Sequence, residues 1–188
     1  MTDAELFELL KDKSTREKGF SVLVNKFKER VYWQLRHMVL LHEDADDLTQ
    51  EVFIKIFQNI DSFQGNSTIS TWIYRIALNH ALNFLNSKRQ RQRFRFSSIE
   101  DTMFDSLKSD MNFEADEIEL KLQKAILSLP DKQRLVFNLR YYDEMPFKEM
   151  EDILETSQSA LKSTYHFAAK KIKSQLLKEE IHKFDIPD

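Results

Sequence analysis

Arg75, Asn79, Asn83 and Asn86 follow one another at intervals of four, four and three residues, which places them on one face of a helix. Asparagine is a poor helix former, so three on one face weaken the helix and ask for another use. Its carboxamide can both donate to and accept from a base edge. Directly after this stripe, Lys88, Arg89, Arg91, Arg93 and Arg95 put five cations into eight residues, with Phe94 among them. Clustered cations bind phosphates, so the stripe and the run together suit a nucleic-acid face. The plainer alternative is a solvated surface. Upstream, Asn66, Ser67 and Thr68 form a small polar segment close to Trp72 and Tyr74. Holding an unstacked base needs small polar groups beside aromatic rings. The same residues could equally be a helix cap and two core aromatics.

Other chemistry has little to stand on. The five histidines, His37, His42, His80, His166 and His182, lack zinc-protease spacing, no glycine-rich loop is present to cradle phosphate, and cysteine is absent. No catalytic residue, metal site or cofactor is expected, and no small-molecule substrate. The longest apolar run, Met38-Val39-Leu40-Leu41, is too short for a signal-peptide core or a membrane span. A cytoplasmic protein is expected.

The elements that must position these residues are helices. Only two glycines and three prolines interrupt the 188 residues, and phenylalanine, leucine, glutamate and lysine dominate, which together favour an all-α fold. Leu23, Val24, Phe27, Val31, Leu35 and Met38 recur at helical spacing and predict a long helix over roughly residues 17–40. Leu48, Val52, Ile56 and Ile60 make a four-residue repeat behind the acidic run Glu43 to Asp47, which suits the positive end of a helix. After the loop at Gly65, a third helix turns Ile69, Ile73, Ile76 and Ala77 inward. Residues 96–116 have no sustained period and are rich in Ser, Asp and Asn, as a flexible linker is. Two small helical domains are thus expected, 1–95 and 117–188, joined by the linker 96–116. The net charge of −3 conceals a division: +3 over 1–95, −5 over 96–116 and −1 over 117–188.

In the second domain, Ser128-Leu129-Pro130-Asp131 ends one helix and begins the next, with proline suited to a first turn. Leu135, Val136, Leu139 and Tyr142 form the stripe of that helix. A short helix around Phe147 to Leu154, a turn at Glu155-Thr156-Ser157-Gln158 and a longer helix to about Leu177 have helix-turn-helix spacing. An ordinary helical hairpin has the same spacing. If the second helix enters a major groove, Lys162, Ser163, Thr164, His166 and Lys170 are the candidate contacts.

Three segments in order, DADDLTQEVFIKIF at 44–57, STWIYRIALNHALNFL at 70–85 and LSLPDKQRLVFNLRYYDEM at 127–145, resemble the extracytoplasmic-function sigma factors of bacterial RNA polymerase. The resemblance covers roughly 17–95 and 118–178. It implies a transcription factor that recruits core RNA polymerase, reads promoter DNA and performs no chemistry of its own. Asp47, Gln50 and Glu51 match the residues that dock on the clamp coiled coil of the polymerase's largest subunit. The loop 65–70 with Trp72, Tyr74, Arg75 and Asn79 matches the part that melts and reads the minus-ten element, and the final helix matches the minus-thirty-five reader. The linker would run toward the active-site cleft. An anti-sigma factor is a further partner that the resemblance implies.

The match has departures. Thr164, Phe167 and Ala169 stand where the family usually has arginine, so Lys162, Lys170 and Lys171 must supply the phosphate-binding charge. Glu151 and Glu155 stand where a small residue and a glycine are common, and a left-handed non-glycine residue costs roughly 1 kcal/mol. The competing expectation is a free-standing regulator that binds duplex DNA without polymerase, the first domain serving as a sensor. Such a sensor would have no use for the basic run at 88–95.

Overall fold

The computed structural model describes residues 2–92 and 117–184, and among them every regular element is a helix. The chain divides into two compact units, residues 1–88 with 152–155, and residues 89–151 with 156–188. The expected linker, 96–116, and with it Arg93 and Arg95, lies outside the described residues.

The first unit begins with a helix that the periodicity argument passed over, α1 (Asp3–Lys11). Thr2 and Glu5 form a capping box: the Thr2 Oγ1 accepts from the Glu5 N–H at 3.2 Å, and the Glu5 carboxylate accepts from the Thr2 N–H at 2.7 Å. That backbone bond holds the Glu5 carboxyl below its ordinary range. α2 (Arg16–Val39) packs on α1 at Gly19, where an added Cβ would stand 3.0 Å from the Leu9 carbonyl carbon and 3.0 Å from its Cβ. Glycine is there for close approach.

Leu23, Phe27, Val31, Leu35 and Met38 of α2 are buried, as their spacing predicts. Leu40 ends α2 at φ 67 and, with Leu41, links it to α3 (His42–Gln58). α3 buries Ala45, Leu48, Val52, Phe53 and Ile56. A 3₁₀ turn (Ile60–Ser62) and Gly65, at φ +73, lead to α4 (Ile69–Gln92). α4 contributes Ile69, Ile73, Tyr74, Ala77, Leu78, Ala81 and Leu85 to the core. Ile76 is only half-buried.

In the second unit α5 (Glu117–Leu127) and α6 (Asp131–Tyr141) both pack on α8 (Gln158–Phe184). Ala125, Ile126, Leu129, Phe137, Ala168 and Ile172 form one buried cluster, against which Tyr142 and Tyr165 rest. Pro130 is the N-cap of α6 rather than a residue of its first turn. The end of α6 closes through Glu144, at φ 50, with the Met145 N–H donating to the Leu139 carbonyl at 2.9 Å. α7 (Phe147–Leu154) is eight residues long and is followed by a three-residue turn whose first member, Glu155, is left-handed at φ 51. The turn therefore takes the backbone conformation usual for glycine without having one, at a cost of about 1–2 kcal/mol. Gln158 Nε2 donates to the Glu151 carboxylate at 2.6 Å, so the second departure from the family pattern ties α7 to α8.

Candidate polymerase-docking and promoter-binding surfaces

α3 has two faces of different character. Opposite its buried repeat, Asp47, Gln50 and Glu51 are all exposed, and the same stripe continues into Ile54, 56% exposed, and Phe57, 42% exposed. The acids in the first turn of α3 are Glu43 and Asp44. Asp47 lies in the second turn, not the first as its place in the acidic run suggests, and so gains little from the helix dipole, which fades within one turn.

Glu51 is held by α4. His80 Nε2 is 2.6 Å from the Glu51 carboxylate, and its Nδ1 is 3.0 Å from the Lys55 ammonium. An ammonium can only donate, so Nδ1 accepts and Nε2 carries the proton toward Glu51. The imidazole, whose side chain is 14% exposed, bridges two residues one turn apart on α3 and fixes the direction of the carboxylate.

Sequence reasoning did not single out Ile54 or Phe57. Their signal was present: both are apolar and off the inward repeat of Leu48, Val52 and Ile56. Phe57 is shared with the neighbouring helix through an edge contact to Phe20, at 4.9 Å between centroids.

The loop before α4 is ordered by its own polar groups. Thr68 Oγ1 accepts from the Thr71 N–H at 3.1 Å and also meets the hydroxyls of Ser70 and Thr71, so Thr68 caps α4. Asn66 donates to Gln64 and Ser67 to the Thr68 carbonyl, each at 3.3 Å. Asn66 and Thr68 are exposed and Ser67 is half-buried. The two aromatics part company. Tyr74 is 2% exposed, with Phe27 at its edge and the Arg30 guanidinium 4.7 Å over its ring, so it is a core residue and offers no face to a base. Trp72 is half-buried against Phe63 and keeps part of its ring at the surface.

Along α4, Asn79, Asn83 and Asn86 are exposed and Arg75 is half-buried. The Lys88 ammonium is engaged by Asp44 at 2.7 Å and lies 5.3 Å from the centroid of the Phe84 ring. It anchors the end of α4 to the start of α3. Arg89 and Arg91 fall in the last turns of α4.

On α8, Lys162, Ser163, His166 and Lys170 are exposed and Thr164 is half-buried. The hydroxyls of Ser163 and Thr164 donate back to the carbonyls of Ser159 and Ala160 at 3.0 and 2.8 Å, which leaves their oxygens as acceptors. Among the described residues no group of His, Asp or Glu is arranged to hold a metal ion, and no helix is long and apolar enough to cross a membrane.

An all-helical chain with one helical unit ending in an asparagine stripe and a second ending in a helix-turn-helix is the plan of a sigma-70-type factor, and comparison agrees. Residues 23–91 match the family Sigma-70 region 2, and residues 119–172 match Sigma-70 region 4. The chain is 31% identical over 166 residues to the ECF RNA polymerase sigma factor SigW of Bacillus subtilis, covering 84% of this chain and 89% of that one. With the ECF RNA polymerase sigma-E factor of Escherichia coli K12 it shares 32% over 155 residues, 78% and 81% of the two chains. The fold is that of CnrH in its complex with the cytosolic domain of CnrY, at TM-score 0.63 and 21% identity over 93% of this chain and 94% of that one. It is also that of the sigma factor RpoE of Bartonella quintana, solved with the anti-sigma factor NepR, at TM-score 0.61 and 18% identity over 90% and 99%. The chain belongs to the extracytoplasmic-function sigma factors of bacterial RNA polymerase, which direct promoter recognition and transcription initiation. The free-standing regulator is thereby set aside.

Proposed function

We propose that this sigma factor divides its work among three surfaces. Asp47, Gln50 and Glu51, with Ile54 in the same stripe, dock on core RNA polymerase. Asn66, Ser67, Thr68, Trp72, Arg75, Asn79 and Asn83, followed by Arg89, Arg91 and Arg93, engage the minus-ten region. Lys162, Ser163, Thr164, His166 and Lys170 engage the minus-thirty-five element, and the acidic residues 96–116 join the two domains. Recruitment and strand opening need no catalytic group on this chain, and it works in the cytoplasm, where polymerase is.

The observation that carries the docking surface is the double character of α3. An acidic and amide stripe with one exposed branched apolar residue is what a basic coiled coil with an apolar seam would recognise. The exposed asparagines support base reading by α4 in the same way, since a carboxamide pairs in two directions with a base edge. As one structural neighbour is bound to the anti-sigma factor NepR and another to the cytosolic domain of CnrY, an anti-sigma factor is proposed for this chain also.

Core polymerase reconstituted with the full chain, and the transcripts sequenced from their starts, test the reading. Initiation should begin a fixed distance downstream of two shared elements. Starts scattered without a common upstream element refute it.

A further inference from the structure

Between Thr156 and Lys178 the chain has no acidic residue, whereas Lys162, Lys170, Lys171 and Lys173 all fall in that stretch and are exposed. Over Gln158 to Leu177, α8 therefore turns a surface with lysines and no acid to solvent, which suits a polyanion. Its core side is supplied by Leu161, Ala168 and Ile172. On the opposite side, Ser163, Phe167, Lys170 and Ser174 recur at intervals of four, three and four and share one face. Phe167 is 57% exposed at the middle of it. Its ring meets that of its neighbour His166, at 6.0 Å between centroids.

A lone phenyl ring ringed by lysines and hydroxyls calls for a partner that is anionic at its rim and apolar at one point of its floor. The major groove of duplex DNA has this chemistry: phosphates line both edges, and the C5-methyl of thymine projects between the hydrogen-bonding groups of the bases. A phenyl ring has no donor or acceptor to offer those groups, so the methyl is what it can recognise.

We propose that Phe167 is a specificity-determining residue, packing on a thymine methyl within the minus-thirty-five element. This rests on the reading of α8 as the helix that enters that element. Lys170, three residues on, meets the adjoining phosphate, and the Ser163 oxygen faces the neighbouring base edge. Thymine is then preferred at one position by its methyl alone, independently of pairing.

The test removes that methyl. Holoenzyme formed from core polymerase and the full chain is bound to duplex fragments selected from a library randomised upstream of the start site. Each thymine of the selected element is then replaced singly by deoxyuridine, which keeps the pairing and every polar group. At one position wild type should lose about fourfold in affinity, the worth of one buried methyl. The Phe167→Ala protein should show no such difference there, and Phe167→Leu should keep part of it. Because the ring is exposed, both variants should melt as wild type does. If Phe167→Ala discriminates thymine from deoxyuridine as wild type does, while Lys170→Ala weakens binding to every sequence, α8 reads DNA and the proposal for Phe167 is overturned. If neither substitution changes DNA binding, the reading of α8 fails and the proposal falls with it. If Phe167→Ala keeps the thymine preference and instead releases a protein inhibitor, the ring serves a protein contact and the proposal is again overturned.

Discussion

Replacing Asp47 and Gln50 together by alanine separates docking from folding. Both side chains are exposed on α3, and Asp47 lies past the first turn, so neither loss should weaken the helix through its dipole. Alanine is the better helix former, by up to roughly 0.7 kcal/mol for aspartate and less for glutamine. Folding stability should stay level or rise by up to about 1 kcal/mol. Polymerase binding should move the other way. Hydrogen bonds to charged groups are worth about 1.5–3 kcal/mol each, so even one lost contact predicts at least a tenfold weaker complex, about 1.4 kcal/mol. Thermal melting by circular dichroism reads the first quantity, and titration of labelled protein with core polymerase reads the second. Glu51 is left in place because His80, itself in contact with Lys55, also holds it, so its removal would disturb α4 as well. Ile54→Ala, tested alongside, should likewise weaken the complex without lowering the melting temperature. A double variant that binds polymerase normally would refute the docking surface. A melting temperature lower by several degrees would show instead that these side chains serve the fold.

Three further outcomes are expected. Gly19→Ala should destabilise by about 1 kcal/mol in thermal melts, although alanine is favoured in a helix interior, because its Cβ would press on Leu9 backbone that cannot swing aside; a stabilised variant would mean that α1 does not pack there. His37 is pulled down to about 4 from an ordinary 6.5, first by burial and then by the Arg36 charge. The unfolded chain thus binds the proton first, and the stability His37 contributes is complete above pH 6.5 and declines toward pH 4 by about 3 kcal/mol. Urea unfolding across that range should be flatter for His37→Phe, and identical slopes would contradict the burial. Finally, replacing Arg89, Arg91 and Arg93 by glutamine should reduce the salt dependence of duplex promoter binding by roughly 0.9 per lost phosphate contact, whereas Asn79→Ala or Asn83→Ala should change base preference with the slope intact.

The long helices were legible because their apolar residues keep step over many turns, as Leu23 to Met38 and Leu48 to Ile56 do. α1 is too short for periodicity to announce, yet Thr2 and Glu5 at capping-box spacing, with Leu6 and Leu10 one turn apart, were available signals. Of the two readings open for Tyr74, its register decides for the core: it falls in step with Ala77, Leu78, Ala81 and Leu85, all buried. Pairings across distance were not legible. Nothing in the order of residues brings Lys88 to Asp44, or His80 between Glu51 and Lys55; those follow from how helices cross. Nor could residue type reveal that Leu40 and Glu144 would take left-handed backbone, since each has a Cβ that disfavours it, whereas at Glu155 the glycine common in the family pattern pointed to it.

That last feature bears on how the helix-turn-helix meets DNA. A glycine at 155 would leave the free hinge several backbone states, and docking would have to freeze one of them. Glutamate at φ 51 accepts strain of about 1–2 kcal/mol in the folded protein, of which the narrower range of the unfolded chain returns about 0.4–1 kcal/mol. The turn is held at a net cost in stability, with fewer backbone states open to it. On the role proposed for α8, association with DNA then loses less conformational entropy at the turn. A glutamate-closed turn thus moves part of the cost of ordering the turn from binding into folding.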